Sequence, residues 1–571
     1  MALSLNDLPF EILNHIVENF TDVRTVVNLA QSSKRFHHYA QLDGFRVFIL
    51  RHHPSYQKAG SWNNAVRSLT ALSRAWTRKA FLARNLRPPN TGSVIRFPNG
   101  QDASNLLPGQ GRQSMGYQPV MDCLESWKSG ASHEVLVWGA GAELIVRSKT
   151  ELPRSTNNNT AKTKPGITPL DGQLQWITYK PPDTSDGRDD ITAVKLLRPH
   201  QHHDDGKYHM ILGRASGYLD RLSISNSGVE VEQLGPIQTS IDCVDVTSTR
   251  DPIVAASVDN RKIVLHRLGS LDSEETGSDF VFRPKEQTEK IWTMRFLNSS
   301  LLAIGSGTTR QPISILSLTP TGLVDQNMPF TPYNVPGAVY AIEPLQDSSC
   351  LFLTGHYQGL VQLTDTRLPN GRAAVYSDPV DCSPIYSLLA MTGPRFVAGG
   401  ARHCLLKFFD MRNPHWCYSK SAIDHDPNAL LGYNIFLPTI GTRMTRTSPT
   451  YCLTASSPHA GSFYAGIENG VVQIDLHSPN DSHARPSGGI PLLDRASPTQ
   501  AQVERETESL RLVEHTTDGV VPVLLRQTPL RHQVKQKQQG IALNYYDDRW
   551  AEDFGYHSYQ SLRGMARGPR R

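Results

Sequence analysis

IYSLLAMTGPRFVAGGARHCLLKFFDMR, residues 385–412, carries the pattern that decides the fold. It opens with a short apolar strand, Ile385-Tyr386-Ser387-Leu388. A small-residue strand follows at Phe396-Val397-Ala398-Gly399-Gly400, then a polar turn around Arg402 and His403, then an alternating strand that ends in Phe409-Asp410. Alternation at period two gives a strand with one buried face. Glycine and alanine in the middle strand let a neighbouring backbone come close. One such sheet cannot cover both of its faces.

The same grammar recurs along the chain. Openings of the same form begin at Ile191, Ile241, Ile291, Val339 and Ile385, with start-to-start spacings of 50, 50, 48 and 46 residues. Weaker copies stand at Val120-Met121-Asp122-Cys123 and at Tyr451-Cys452-Leu453. That makes seven units. Seven sheets stacked radially cover one another, and closing the ring leaves few exposed edges. The expected fold is therefore mainly β: a seven-bladed β-propeller over residues 91–480, preceded by a small all-α unit and a linker helix. Phe409-Asp410, Thr364-Asp365 and Ile474-Asp475 stand where a Trp-Asp pair would end a repeat, so the unit resembles the WD repeat. Residues 151–188 and 413–450 read as surface insertions, and two segments compete to seal the ring, Val94–Phe97 and Val520–Leu525.

Composition agrees with many turns and short strands. The 571 residues include 42 Gly and 38 Pro. No apolar run is long enough for a membrane helix, and no basic-then-apolar leader opens the chain. Seven cysteines without a CxxC pair favour a reducing compartment, cytoplasm or nucleus, over a disulfide or zinc framework. The net charge of +5 is unevenly spread. Residues 44–101 contain ten Lys and Arg and no Asp or Glu, which leaves the rest of the chain net acidic.

The first forty-five residues have a different texture. Leu8, Ile12, Leu13, Ile16 and Phe20 recur at helical spacing, with Pro9 at a tolerated first-turn position. Asp22 can cap a second helix and Ser33 precedes a third short segment. A unit this small needs a partner to cover its apolar face. Leu8-Pro9-x-Glu11-Ile12-Leu13-x-x-Ile16, followed by Asp22, Val27, Leu29, Ala30 and Ser33-Lys34-Arg35-Phe36, resembles the F-box over residues 3–45. The resemblance implies that Leu8, Pro9, Ile12, Leu13 and Ile16 pack on a Skp-type adaptor, which brings a cullin. Residues 46–90 read as a basic helical linker, with one long helix from Ser61 to Leu86 whose apolar stripe includes Trp62, Leu69 and Trp76. Its charge is read as a solvated face and not as a nucleic-acid site, because both tryptophans lie on the apolar side. Residues 481–571 form a low-complexity, basic tail.

Arg214, Arg261, Arg310 and Arg402 fall in the turns between second and third strands, which open on one rim of a propeller. Convergent guanidinium groups suit phosphate or carboxylate, so a phosphorylated or acidic target is expected there. No catalytic, phosphate-binding or metalloprotease motif is present, and HQHHDDG (200–206) reads as a solvated loop. The F-box resemblance thus implies a non-catalytic, cofactor-free substrate receptor of a Skp–cullin–F-box ubiquitin ligase. The alternative is a scaffold propeller acting outside a cullin ligase.

Overall fold

The computed structural model describes residues 5–53, 56 and 62–78, then 81–476 in segments, and a short hairpin at 514–516 and 519–521. The longest stretches outside the description within 81–476 are 99–115, 152–172, 269–277, 283–289, 327–336, 413–432 and 438–447. Seven sheets, antiparallel apart from one added strand on blade one, form a seven-bladed β-propeller. The inner strands of blades one to seven are Met121–Lys128, Ile191–Leu196, Ile241–Val246, Ile291–Phe296, Val339–Pro344, Ile385–Met391 and Thr450–Thr454. Each inner strand lies beside the next, and blade seven lies beside blade one, so the ring is closed.

Ring closure differs from expectation. Phe81–Leu86 is a strand, not the end of the long helix, and pairs antiparallel with Gly470–Leu476 from Phe81↔Leu476 to Leu86↔Val471. It supplies the outer strand of blade seven, so the propeller begins near residue 81 and not at 91. Val94–Phe97 instead runs parallel to Gln173–Tyr179 as a fifth strand on blade one. Gly519–Val521 pairs only with Glu514–Thr516. The two expected insertions each contain an outer strand, Gln173–Tyr179 in blade one and Tyr433–Phe436 in blade six. The rest of the tail lies outside the described residues.

The small residues of the second strands are required by blade-to-blade contact. A Cβ on Gly213 would sit 2.6 Å from Cγ2 of Ile241, and one on Gly355 would sit 2.7 Å from Cγ2 of Ile385. In each case the clash is with the first inner-strand residue of the next blade, a distance no packed interior tolerates.

Charges also join the blades. The fifth inner-strand positions of blades two to five hold Lys195, Asp245, Arg295 and Glu343 in alternating sign, and Asp122 stands beside them on blade one. Lys195 Nζ lies 3.3 Å from Asp245 and 3.9 Å from Asp122, and Arg295 lies 3.4 Å from Asp245. Each carboxylate also accepts an N–H from the following blade: Leu196 to Asp122 at 2.8 Å, Phe296 to Asp245 at 2.7 Å and Ala390 to Glu343 at 3.2 Å. Burial pushes Asp245 up, but Lys195 and Arg295 outweigh it and hold its carboxyl below the usual range.

A second buried ionic group sits in blade six. Lys407 is fully buried, its Nζ 2.9 Å from Asp381 and 3.7 Å from Asp378. Asn434 donates to Asp378 at 2.6 Å. Burial pulls the ammonium pKa down, and the two aspartates more than restore it. Lys407→Met strands two carboxylates in the interior and is expected to cost about 3–5 kcal/mol in urea unfolding. Neutralising Asp378 and Asp381 in the same variant should recover most of the loss.

The amino-terminal helices are α1 (Phe10–Glu18), α2 (Val23–Ser32), α3 (Lys34–Tyr39), α4 (Phe45–His52) and α5 (Trp62–Arg78), with a wide π turn at Ala40–Gly44. Asp22 accepts from Arg24 N at 3.0 Å and Ser33 from Phe36 N at 3.2 Å, which satisfies orphan donors at two helix starts. Leu13, Val17, Val26, Tyr39, Phe45 and Ile49 form the core with Val66 and Leu69 of α5. The expected boundary at residue 45 therefore runs through this core, because α4 and the first half of α5 belong to it. Leu72, Ala75 and Trp76, further along α5, enter the core of blades six and seven. One helix is shared by two cores.

Candidate protein-interaction surfaces

The helical unit has two adjacent stripes on α1. Leu13 and Val17 point inward and are fully buried. Ile12 stays 45% exposed, Pro9 is exposed, and Leu8 and Ile16 are half-buried against the core. Leu5 is 49% and Val27 is 36% exposed. Leu13 is thus a core residue of its own unit and cannot contact an adaptor. Leu8, Pro9, Ile12 and Ile16 remain on or near the outer stripe. Arg35 donates to the Leu8 carbonyl at 2.6 Å and lies over the Phe10 ring, fixing the entry of α1.

The unit is seated on one rim of the ring. Trp76 packs edge-on against Phe408 at 5.2 Å, and Arg395 lies over Trp76 while donating to Ser73 at 3.4 Å. His53 and Tyr56 meet His459 at 5.8 and 5.3 Å. Arg395 and His459 flank turns between first and second strands. In antiparallel blades those turns lie on the rim opposite the turns between second and third strands.

On that opposite rim the expected arginine ring is only partly assembled. Arg214 is buried, 2.6 Å from Asp220, with its guanidinium over the Tyr218 ring. A cation neutralised in this way is not offered to a ligand, and its place in the binding set is corrected accordingly. Arg310 lies outside the described residues. Arg261 and Arg402 are exposed on blades three and six. His356 and His403 are turned inward; burial lowers His356 to about 4.

Across blades four to seven lies a feature that the sequence reading missed. Trp292, Tyr340, Tyr386 and Tyr451 are the second residues of four successive inner strands. Tyr340 touches Trp292 at 4.9 Å and Tyr386 at 5.1 Å, and Tyr357 of a neighbouring turn lies 6.4 Å away. Trp292 is 40% and Tyr357 is 56% exposed. Lys290 Nζ sits 3.8 Å from the Trp292 ring centroid. The turn of Arg261 abuts this arc, since Ile291 N donates to Asn260 O at 2.6 Å. Burial lifts Tyr451 to about 12, with Glu468 adding to it, so its hydroxyl stays protonated and can donate. The signal is present as I-W-T-M, V-Y-A-I and I-Y-S-L, but an aromatic second position is also what an ordinary strand carries.

The surface is therefore an aromatic arc flanked by cations. It can hold an apolar or aromatic side chain against the rings and acidic or phosphorylated groups beside Arg261, Lys290 and Arg402.

No family model matches the chain, and no curated protein matches it. Among solved structures, it is similar to Sqt1 of Chaetomium thermophilum bound to the N-terminus of ribosomal protein L10, at 10% identity. That match covers 60% of this chain and 81% of the other, with a TM-score of 0.40. It is also similar to the WD40 β-propeller domain of Doa1, at 10% identity over 64% of this chain and 95% of the other, TM-score 0.41. A structure of the mitotic checkpoint complex matches at 13% identity over 63% of this chain and 89% of the other, TM-score 0.39.

Proposed function

We propose that this chain is the substrate receptor of a cullin-type ubiquitin ligase, in which an F-box-like helical unit docks on a Skp-type adaptor and the propeller holds the target. The observation that carries the reading is the set of apolar residues Leu5, Pro9, Ile12 and Val27, left exposed on a unit too small to leave them so at no cost. α5 contributes to the cores of both the unit and blades six and seven, on the rim opposite the aromatic arc, so an adaptor and a target would occupy different faces. Such a receptor does no chemistry. It raises the effective concentration of target lysines near a charged conjugating enzyme.

Full-length protein purified from cells is expected to bring down a Skp-type adaptor and a cullin, and its loss should let targets accumulate. A preparation that yields neither adaptor nor cullin ends the reading. The target half is tested separately. Arg261→Glu with Arg402→Glu should weaken capture of an acidic target at least tenfold and leave adaptor capture unchanged, as read by quantitative pull-down. Equal target capture by the variant and the parent refutes the cationic contribution.

A further inference from the structure

We infer that blade two carries a site for a divalent transition-metal ion, held by His202, Asp205 and His209. One ligand atom from each residue lies within 4.8 Å of the others. The sequence reads this stretch as a solvated loop; Asp205 is exposed in the structure, while His202 is half-buried and His209 on the following strand is buried.

His209 stands on the second strand of blade two, Tyr208–Arg214, and is almost fully buried. Its Nε2 is 2.9 Å from an Asp205 oxygen, and its Nδ1 is 2.8 Å from the Ser223 hydroxyl on the adjacent strand. A hydroxyl can donate or accept. Ser223 therefore supports the tautomer with Nε2–H directed at Asp205, and equally the tautomer that turns the Nε2 lone pair to an ion. A fixed hydrogen bond on the far ring nitrogen is the usual support of a metal-binding histidine.

His202 is fixed from the other side. It follows the 3-10 turn Pro199–Gln201, where Arg198 N donates to the Gln201 amide oxygen at 2.9 Å. The Gln201 amide nitrogen donates to the carbonyls of Thr247 at 2.5 Å and Thr249 at 3.1 Å, and His200 reaches the Ser248 carbonyl at 2.9 Å. The loop is thereby anchored on blade three before His202 begins. The His202 and His209 rings lie 4.2 Å apart. The turn before His202 and the His209 ring are thus held in place by folding, which lowers the ordering cost of binding an ion.

The donor set selects the ion. Two imidazoles and one carboxylate suit zinc and its first-row neighbours, and not magnesium or calcium, which prefer all-oxygen shells. Bonds of about 2.0–2.2 Å in a tetrahedron place ligand atoms about 3.3 Å apart, so modest side-chain rotation closes the site and a fourth position is left for water. Lys207 Nζ is 4.0 Å from Asp205, but it is bound at 2.6 Å to Glu230, which offsets its charge.

The test uses the full chain stripped of metal and titrated with Zn2+ by calorimetry. His202→Ala and Asp205→Ala are the variants, because neither side chain is in the interior. The parent should bind one more equivalent of zinc at micromolar affinity or tighter than either variant, with melting in metal-free buffer unchanged. Cobalt(II) should give the intense visible bands of a four-coordinate ion in the parent and lose them in both variants. Equal stoichiometry and affinity in parent and variants overturns the site.

Discussion

A fragment beginning at residue 91 is expected to fail to form a closed ring, whereas one beginning at residue 62 and sharing the same end at residue 478 folds cooperatively. The shorter fragment lacks Phe81–Leu86 and so leaves Gly470–Leu476 without its outer partner. That unpaired strand contains Val471, Val472 and Ile474, all buried in the intact ring, and a long apolar edge is a template for aggregation. The fragment also loses Leu72, Trp76 and Leu86 from the interior. At about 1.5–3 kcal/mol for each large apolar side chain, the loss is roughly 5–9 kcal/mol, comparable with the whole stability of a typical domain. Size-exclusion chromatography and thermal melting distinguish the two fragments. Co-expression of residues 62–90 as a separate piece should restore the monomeric ring. A 91–478 fragment that melts like the longer one would show that blade seven is complete without the N-terminal strand.

Ile12→Asp is expected to weaken capture of a Skp-type adaptor by the full chain about 30-fold or more, with little change in melting. Ile12 is 45% exposed, so the carboxylate is solvated in the free protein. In an adaptor complex the same charge would be buried against apolar side chains. Central interface residues commonly cost 2 kcal/mol or more when removed, and each 1.4 kcal/mol is about tenfold in affinity. Leu13 is the matched control. It lies one position away and is fully buried, so Leu13→Ala should cost about 2–5 kcal/mol in the helical unit and act through its folding. Full adaptor capture by Ile12→Asp in a pull-down with purified adaptor would show that this stripe is not the docking face.

The contrast between Ile12 and Leu13 marks how far the sequence could be read. Helical periodicity located the apolar stripe on α1, yet a stripe of adjacent positions contains both an inward and an outward edge. Which edge faces the core depends on α4 and α5, whose packing no local pattern states. The propeller was more legible. Inner strands begin at Ile191, Ile241, Ile291, Val339 and Ile385 as the repeat requires, and both weak copies at its ends are blades. The closing strand was missed because FLARNL is rich in helix formers and continues the stripe of α5. Pairing with a strand nearly four hundred residues away overrode that preference. Arg214 was misjudged for a related reason. A turn arginine looks available until the hairpin folds Asp220 back against it.

The pairing of Phe81 with Leu476 also sets a timetable for the newborn chain. At synthesis rates of about 5–20 residues per second, the partner strand leaves the ribosome roughly 20–80 seconds after Phe81–Leu86 does. Throughout that interval the early strand has hydrogen-bonding groups and apolar side chains with nowhere native to go. Six blades can assemble in order while it waits, and the last act of folding joins the oldest part of the sheet to the youngest. Slower translation would prolong that wait, so yield in cells should depend on chaperone supply more steeply than the stability of the finished ring would suggest.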